Sequence, residues 1–147
     1  NLRSPAPANA SAKWAFPGGG LSFPSMNTAS LSSLAELAER VRAFAAEREW
    51  QTYHTPKNLA MALVVEAAEL VEPFQWLSPG ESAALNPKQR QAVREEIADV
   101  LIYLTRLADV LDIDLLDAAA EKLAKNAAKY PVERARGNAD KYDTFTE

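Results

Sequence analysis

Two pairs of carboxylates recur at helical spacing in this chain of 147 residues. Glu66 and Glu69 are three positions apart, and so are Glu96 and Asp99. Side chains three positions apart lie on one face of an α-helix. Both pairs interrupt apolar stripes, where a buried carboxylate costs several kcal/mol unless something compensates its charge. If the two helices pack antiparallel, the four carboxylates converge and repel one another.

A hard divalent cation would compensate such a cluster. Mg²⁺ and Mn²⁺ prefer oxygen ligands, and Mg²⁺ usually keeps waters and substrate phosphates in its coordination shell. The pattern lacks the Glu-x-x-His element of di-iron bundles, so iron is discounted. The residues therefore predict a magnesium site, with manganese as a substitute, whose ligands are Glu66, Glu69, Glu96 and Asp99.

Solvated glutamates are the competing interpretation. Glutamate pairs at this spacing are common on the exposed faces of Ala-rich helices, and three other glutamates, Glu72, Glu81 and Glu95, are interpreted as solvated. The placement of both pairs on apolar stripes favours the metal site. A non-catalytic helical oligomer or adaptor stays open as an alternative class of function.

The composition predicts an all-α protein and excludes several classes of function. The chain is 48% hydrophobic, has no cysteine and carries a single histidine, His54. A net charge of −4, without a basic stripe, argues against a nucleic-acid polymer as partner. The longest apolar runs, such as VLIYL, fall far short of the roughly 20 residues that a membrane span needs, so no membrane partner is expected. We expect a reducing, cytoplasmic compartment.

Two helices are predicted in the first half of the chain. The first runs from about Ser33 to Arg48, and Ser33 and Glu36 are predicted to form a capping box. The second opens with Thr55 as N-cap and continues to about Trp76. Pro73 is expected to kink this helix or to shorten its regular part.

Two more helices are predicted after a loop. The third runs from Pro87 to near Leu111. Asp114 caps the fourth, which stops before Pro131 because proline cannot continue it. The polar segment after Pro131 is expected to be extended.

The first 27 residues predict a disordered or tag-like tail. They are rich in Pro, Gly, Ser and Ala and show no periodicity. We hypothesise that Met26 is the natural start of the protein. The all-α domain is then expected to span residues 28–147.

The acidic pattern resembles the MazG-like superfamily of all-α nucleoside triphosphate pyrophosphohydrolases. An E-x-x-E helix is followed about 30 residues later by an E-x-x-D helix. The segments FAAEREWQTYHTPKNLAMALVVEAAELVEPFQWLS, EEIADVLIYL and KYPVERARGNADKY resemble the dCTP pyrophosphatase branch in particular. The resemblance covers roughly residues 31–143.

The resemblance implies a four-helix MazG-like bundle that is completed by oligomerisation, with a homotetramer built as a dimer of dimers. It implies cleavage of a nucleoside triphosphate between the α and β phosphates, with dCTP or modified dCTP as substrate and dCMP and pyrophosphate as products. This activity would sanitise the nucleotide pool. Glu69 or Glu66 is the candidate to activate the attacking water, and the sequence leaves that choice open.

The resemblance also implies a nucleotide pocket. The residues expected around the base offer rings that stack and groups that hydrogen-bond: Trp50, His54, Asn58, Trp76 and Tyr103. The residues expected on the triphosphate follow one face of the fourth helix: Lys122, Asn126 and Tyr130. Packing of Trp50 and Trp76 in a helical core, and a solvated Lys122, are the alternatives.

One position departs from the dCTP-specific relatives. Val41 stands on the first helix where those relatives carry a histidine. If that histidine reads the base, the preference of this chain differs. The same reaction on dUTP or on another nucleoside triphosphate therefore stays open as an alternative.

Overall fold

The structure, a computed structural model, describes residues 30–137, and within them all regular elements are helices. In chain order they are α1 (Leu34–Glu47), a 3-10 helix (Trp50–Thr52), α2 (Pro56–Glu69), α3 (Pro79–Ala83), α4 (Pro87–Val110), α5 (Leu115–Lys129) and α6 (Val132–Ala135). The all-α prediction is confirmed. The predicted tail, residues 1–27, lies outside the described residues.

The predicted capping box of α1 is only half formed. Ser33 accepts a hydrogen bond from the backbone N–H of Glu36 at 3.1 Å, as expected for an N-cap. The Glu36 carboxylate accepts instead from the backbone and the hydroxyl of Ser32, at 2.9 and 2.8 Å. These bonds, the backbone bond first, lower the pKa of Glu36 to about 2.

Helix α2 ends earlier than predicted. It stops at Glu69, and turns occupy the chain up to Trp76. Pro73 gives the reason, because its ring clashes with the carbonyl four residues before it and it has no N–H to donate. The break leaves Glu69 at the last helical position.

Two short helices form where none was predicted. Ser78 and Glu81 make a full capping box that opens α3 inside the predicted loop. Glu81 is exposed, as predicted, but it also has this local structural role. Helix α6 lies in the segment that was predicted to be extended.

Helices α2 and α4 form the main contact and run antiparallel. His54, just before α2, meets Arg106 near the end of α4. At the other end of the contact, Glu66 lies beside Glu96 and Asp99. Helix α1 packs on the C-terminal half of α4. The buried apolar side chains are few: Leu37, Val41, Ala45, Leu59 and Ala108.

The apolar residues that recur at helical spacing on α4 are only partly covered in the single chain. Val93, Val100 and Leu107 are half-buried, whereas Ile97, Leu104 and Leu111 are exposed. The buried residues of α4 are instead Thr105, Arg106 and Ala108. Helix α5 has an apolar side as well, yet none of its residues is buried. Among residues 30–137, no helix has the length and apolar character required to cross a membrane.

We expect the Leu59→Ala substitution to lower the free energy of unfolding by about 2–5 kcal/mol. Leu59 is 2% exposed on α2 and is the largest side chain that is fully buried among the described residues. Denaturant unfolding at fixed protein concentration measures the effect. Lys57→Ala, at an exposed position of the same helix, is the control and should leave the midpoint unchanged. Equal midpoints for both variants would contradict the assignment of this core.

Candidate metal and nucleotide site

A carboxylate cluster lies between α2 and α4. Glu66 is only 3% exposed, and its Oε2 atom is shielded from solvent. Glu96 and Asp99 face it from α4 and are half-buried. One carboxylate oxygen from each of the three residues lies within 4.8 Å of the others. Glu66, from one predicted pair, therefore meets both members of the other pair across the helix contact.

This cluster fits a hard divalent cation. Three negative charges this close, in a partly buried setting, repel one another unless a cation lies among them. An octahedral Mg²⁺ ion holds oxygens at about 2.1 Å, so ligands on opposite sides are about 4.2 Å apart. The observed spread of up to 4.8 Å is close to that span. Carboxylate oxygens are also the ligands that Mg²⁺ and Mn²⁺ prefer.

Glu69, the fourth predicted ligand, lies outside the group of three. It ends α2 one turn beyond Glu66 and is half-buried. Its charge nevertheless reaches the same region. Burial raises the pKa of Tyr103, and the charges of Glu66, Asp99 and Glu69 raise it further. The Tyr103 phenol therefore keeps its proton at neutral pH beside the carboxylates, as a hydrogen-bond donor.

Two of the predicted base-pocket residues lie together at the other end of the α2–α4 contact. The rings of Trp50 and His54 have centroids 6.1 Å apart, and Phe44 meets Trp50 edge-on at 5.8 Å. The Arg48 guanidinium lies 3.5 Å from the centroid of the Phe44 ring. Phe44 and Trp50 thus form an aromatic surface, and His54 lies at its edge.

The sequence reasoning missed Arg106, which contacts this histidine. Its Nε donates a hydrogen bond to His54 Nδ1 at 3.2 Å. The available signal was an arginine three positions after Tyr103 and three before Asp109. On one helix this spacing places all three side chains on neighbouring positions of one face.

The predicted base contacts of Asn58 and Trp76 stay predictions. The Asn58 amide donates to the Tyr53 carbonyl at 3.0 Å, so it holds the turn that leads into α2. Trp76 is 87% exposed in the single chain. In a base pocket, the exposed face of the Trp76 ring would be covered by the substrate or by another chain.

Two of the predicted triphosphate residues, Lys122 and Asn126, lie on α5, and Tyr130 is its C-cap. Asn126 is half-buried, whereas Lys122 and Tyr130 are exposed. No residue of α5 is buried, in contrast to the carboxylate-bearing helices α2 and α4. Their role on the triphosphate stays a prediction.

The fold and the cluster define an all-α protein whose facing helices bring three carboxylates together. A sequence profile described as the MazG-like family matches residues 61–145. The chain belongs to the MazG-like family. The matched region includes all four predicted ligands but begins after Trp50, His54 and Asn58.

Curated relatives and one solved structure are similar to this chain. It is 50% identical over 101 residues to dCTP pyrophosphatase 1 of Rattus norvegicus. This alignment covers 67% of this chain and 59% of the relative. It is 46% identical over 101 residues to dCTP pyrophosphatase 1 of Homo sapiens, with the same coverage. The chain thus spans less than two thirds of the length of these relatives.

The similar structure is the crystal structure of a pyrophosphatase from Archaeoglobus fulgidus DSM 4304. It is 43% identical, with a TM-score of 0.65, and the match covers 72% of this chain and 99% of that one. This neighbour supports the helical arrangement in which the carboxylates meet.

We expect Mg²⁺ to raise the Tm of the protein and Asp99→Asn to remove that effect. At a free concentration 100 times its Kd, a ligand that binds only the folded state stabilises it by about 2.7 kcal/mol. Differential scanning calorimetry with and without Mg²⁺ measures the shift. Glu95→Gln is the matched control, because Glu95 is an exposed neighbour that accepts from Gln91 at 2.7 Å. Equal Mg²⁺ shifts in both variants would refute this metal site.

Proposed function

We propose that this protein is a Mg²⁺-dependent nucleoside triphosphate pyrophosphohydrolase that converts dCTP, or modified dCTP, to dCMP and pyrophosphate. The convergence of Glu66, Glu96 and Asp99 within 4.8 Å is the observation that carries the proposal. The relatives named dCTP pyrophosphatase 1, at 46–50% identity, support the substrate. Since the activity serves the nucleotide pool, we expect a cytoplasmic location.

Glu66, Glu96 and Asp99 would hold the cation directly, and Glu69 would complete the site. When bound, Mg²⁺, or Mn²⁺ in its place, would supply positive charge to the triphosphate and to the leaving pyrophosphate. Glu69 lies one turn from Glu66, outside the close group of three, and would add a further carboxylate to the site.

Glu69 is also the preferred general base. Glu66 is almost fully buried and points into the cluster, whereas Glu69 is half-buried at the end of α2. A base must reach the water whose proton it takes. In the proposed step the water oxygen attacks the α phosphorus, and Glu69 takes a proton from this water. Pyrophosphate leaves with the electrons of the broken phosphoanhydride bond.

The unburied helix α5 supports assembly as a homotetramer, a dimer of dimers. Leu116 and Leu123 lie on one side of α5 and are more than two thirds exposed in the single chain. Lys122, Asn126 and Tyr130 border this apolar side. If a second chain covers α5, these groups come to a neighbouring site and supply donors to the triphosphate.

Turnover tests the reaction and its metal ligands. We expect the wild type with Mg²⁺ to release monophosphate and pyrophosphate, fastest from dCTP in a panel of dNTPs and NTPs. Glu96→Gln should reduce turnover about 10³-fold, because a ligand worth several kcal/mol of charge stabilisation is lost. Glu95→Gln, the adjacent exposed position, should stay active. A fully active Glu96→Gln protein that retains its oligomeric state would rule out this assignment.

One observation favours the alternative substrates, dUTP or another nucleoside triphosphate. Val41 is buried and apolar, so it offers no hydrogen bond where the resemblance expects a histidine. Release of the same products with a broad or dUTP-biased profile would keep the mechanism and exclude dCTP specificity. No turnover of any nucleotide would favour the non-catalytic oligomer.

The assembly is tested on α5. We expect Leu123→Glu to dissociate the tetramer, because it places a charge on the apolar side of the helix. Ala118→Glu adds the same charge on the opposite side of α5 and should leave the tetramer intact. Sedimentation equilibrium gives the mass of each species. A tetramer that survives Leu123→Glu would show that this side of α5 lies outside the interface.

A further inference from the structure

A buried guanidinium lies at the end of the α2–α4 contact that is remote from the carboxylate cluster. Arg106 is 7% exposed, and arginine is rarely buried without partners. Its Nη1 donates to Asp109 on the same helix. Its Nε donates to His54 Nδ1 at 3.2 Å. One side of the guanidinium is thus neutralised by a carboxylate, and the other holds an imidazole.

The direction of this hydrogen bond decides the tautomer of His54. A guanidinium has donors only, so Nδ1 must present its lone pair. A neutral imidazole that accepts at Nδ1 carries its proton on Nε2. Burial, followed by the charge of Arg106, lowers the pKa of His54, and the ring is neutral at pH 7. The group that His54 can offer to a ligand is therefore the Nε2–H donor.

The position of Arg106 is itself held from another helix. Asp109 accepts from Arg106 Nη1 through Oδ2 and from Arg42 Nη2 through Oδ1. Arg42 Nε adds a longer bond to Oδ2 at 3.3 Å. The network links α1, α4 and the segment before α2. An imidazole fixed in this way cannot turn without breaking a charge-assisted contact.

Helix α4 also places this network in line with the metal site. Asp99, Tyr103 and Arg106 follow one another at i, i+4 and i+7, so they lie along one face. With a rise of 1.5 Å per residue, Arg106 lies about 10 Å along the helix axis from Asp99. A nucleotide with its phosphates at the carboxylates would extend its base past Tyr103 toward His54. The Trp50 ring, beside His54, offers a stacking surface there.

We propose that Arg106 is a positioning residue for base recognition, which holds His54 in the Nε2–H tautomer so that the imidazole donates to an acceptor atom of the base. Asp109 and Arg42 keep Arg106 in place. This inference rests on the proposed function for the identity of the ligand. The tautomer itself depends only on the contacts of the free protein.

Nitrogen-15 NMR of the full chain tests the tautomer, because His54 is the single histidine and its ring signals are unambiguous. We expect one species in the wild type, protonated at Nε2. In Arg106→Met, which removes the donor but leaves Asp109 paired with Arg42, both tautomers should appear. The pKa of His54 should rise in this variant, and burial should keep it below about 6.5.

Two further variants separate charge from geometry. Arg106→Lys keeps the positive charge beside Asp109 but lacks the guanidinium Nε. It should also show both tautomers while the pKa of His54 stays lowered. Arg94→Met is the matched control, because it removes an arginine from an exposed position of α4 that lies outside this network. Its spectrum should match that of the wild type.

The activity readout connects the tautomer to the base. We expect Arg106→Met to lose about tenfold in kcat/KM for dCTP, mainly through KM, as one hydrogen bond to the base is weakened. The ratio of kcat/KM for dCTP to kcat/KM for the other dNTPs should decrease. Stabilisation by Mg²⁺ should be unchanged, since the carboxylate cluster is untouched.

Each result decides the inference. A wild-type spectrum with Nδ1 protonated, or with both tautomers, overturns it even if no variant folds. Unchanged spectra in both Arg106→Met and Arg106→Lys overturn the positioning role. A changed tautomer with unchanged base preference overturns the role in recognition. If the wild type cleaves no nucleotide, the proposed function and base recognition fail together, while the spectra still settle the tautomer.

Discussion

Repulsion among three carboxylates is the constraint around which the α2–α4 contact is organised. Glu66, Glu96 and Asp99 come together only because the helices run antiparallel and pack closely through residues such as Leu59. In an ordinary core this arrangement would be unfavourable, because like charges repel strongly where water is scarce. The proposed cation between α2 and α4 would relieve this repulsion.

The two ends of the same contact compensate charge in different ways. At the carboxylate end, three acidic groups face one another across the helix contact, and the proposed cation would lie among them. At the other end, Arg106 and Asp109 neutralise each other on α4, and the remaining donor is directed at His54. In the proposed function, one end would bind an ion, while the other holds the His54 side chain in place. A ligand that uses both would present phosphates to the ion and a hydrogen-bond acceptor to His54.

The small core explains why the chain is suited to assembly. Few apolar side chains are buried among the described residues, while α4 and α5 expose leucines and isoleucine on long faces. Exposed apolar area of this kind is typical of a surface that another chain covers. The same helices border the candidate site. Assembly and substrate binding are therefore expected to depend on each other.

The sequence by itself determined the four long helices, their starts and the carboxylate pairs. Thr55 and Asp114 cap helices as predicted, because capping depends on neighbours within one turn. The i, i+3 spacing likewise decided that each carboxylate pair shares a face. These are local properties, and local sequence is sufficient for them.

The tertiary structure decided which predicted groups meet. It brought Glu66 to Glu96 and Asp99 but left Glu69 outside their group, since α2 ends at that residue. It also left half of the apolar stripe of α4 exposed and placed Arg106 against His54, 52 positions apart in the chain. Side-chain periodicity cannot specify such contacts, because it gives the faces of a helix and not which face meets which partner.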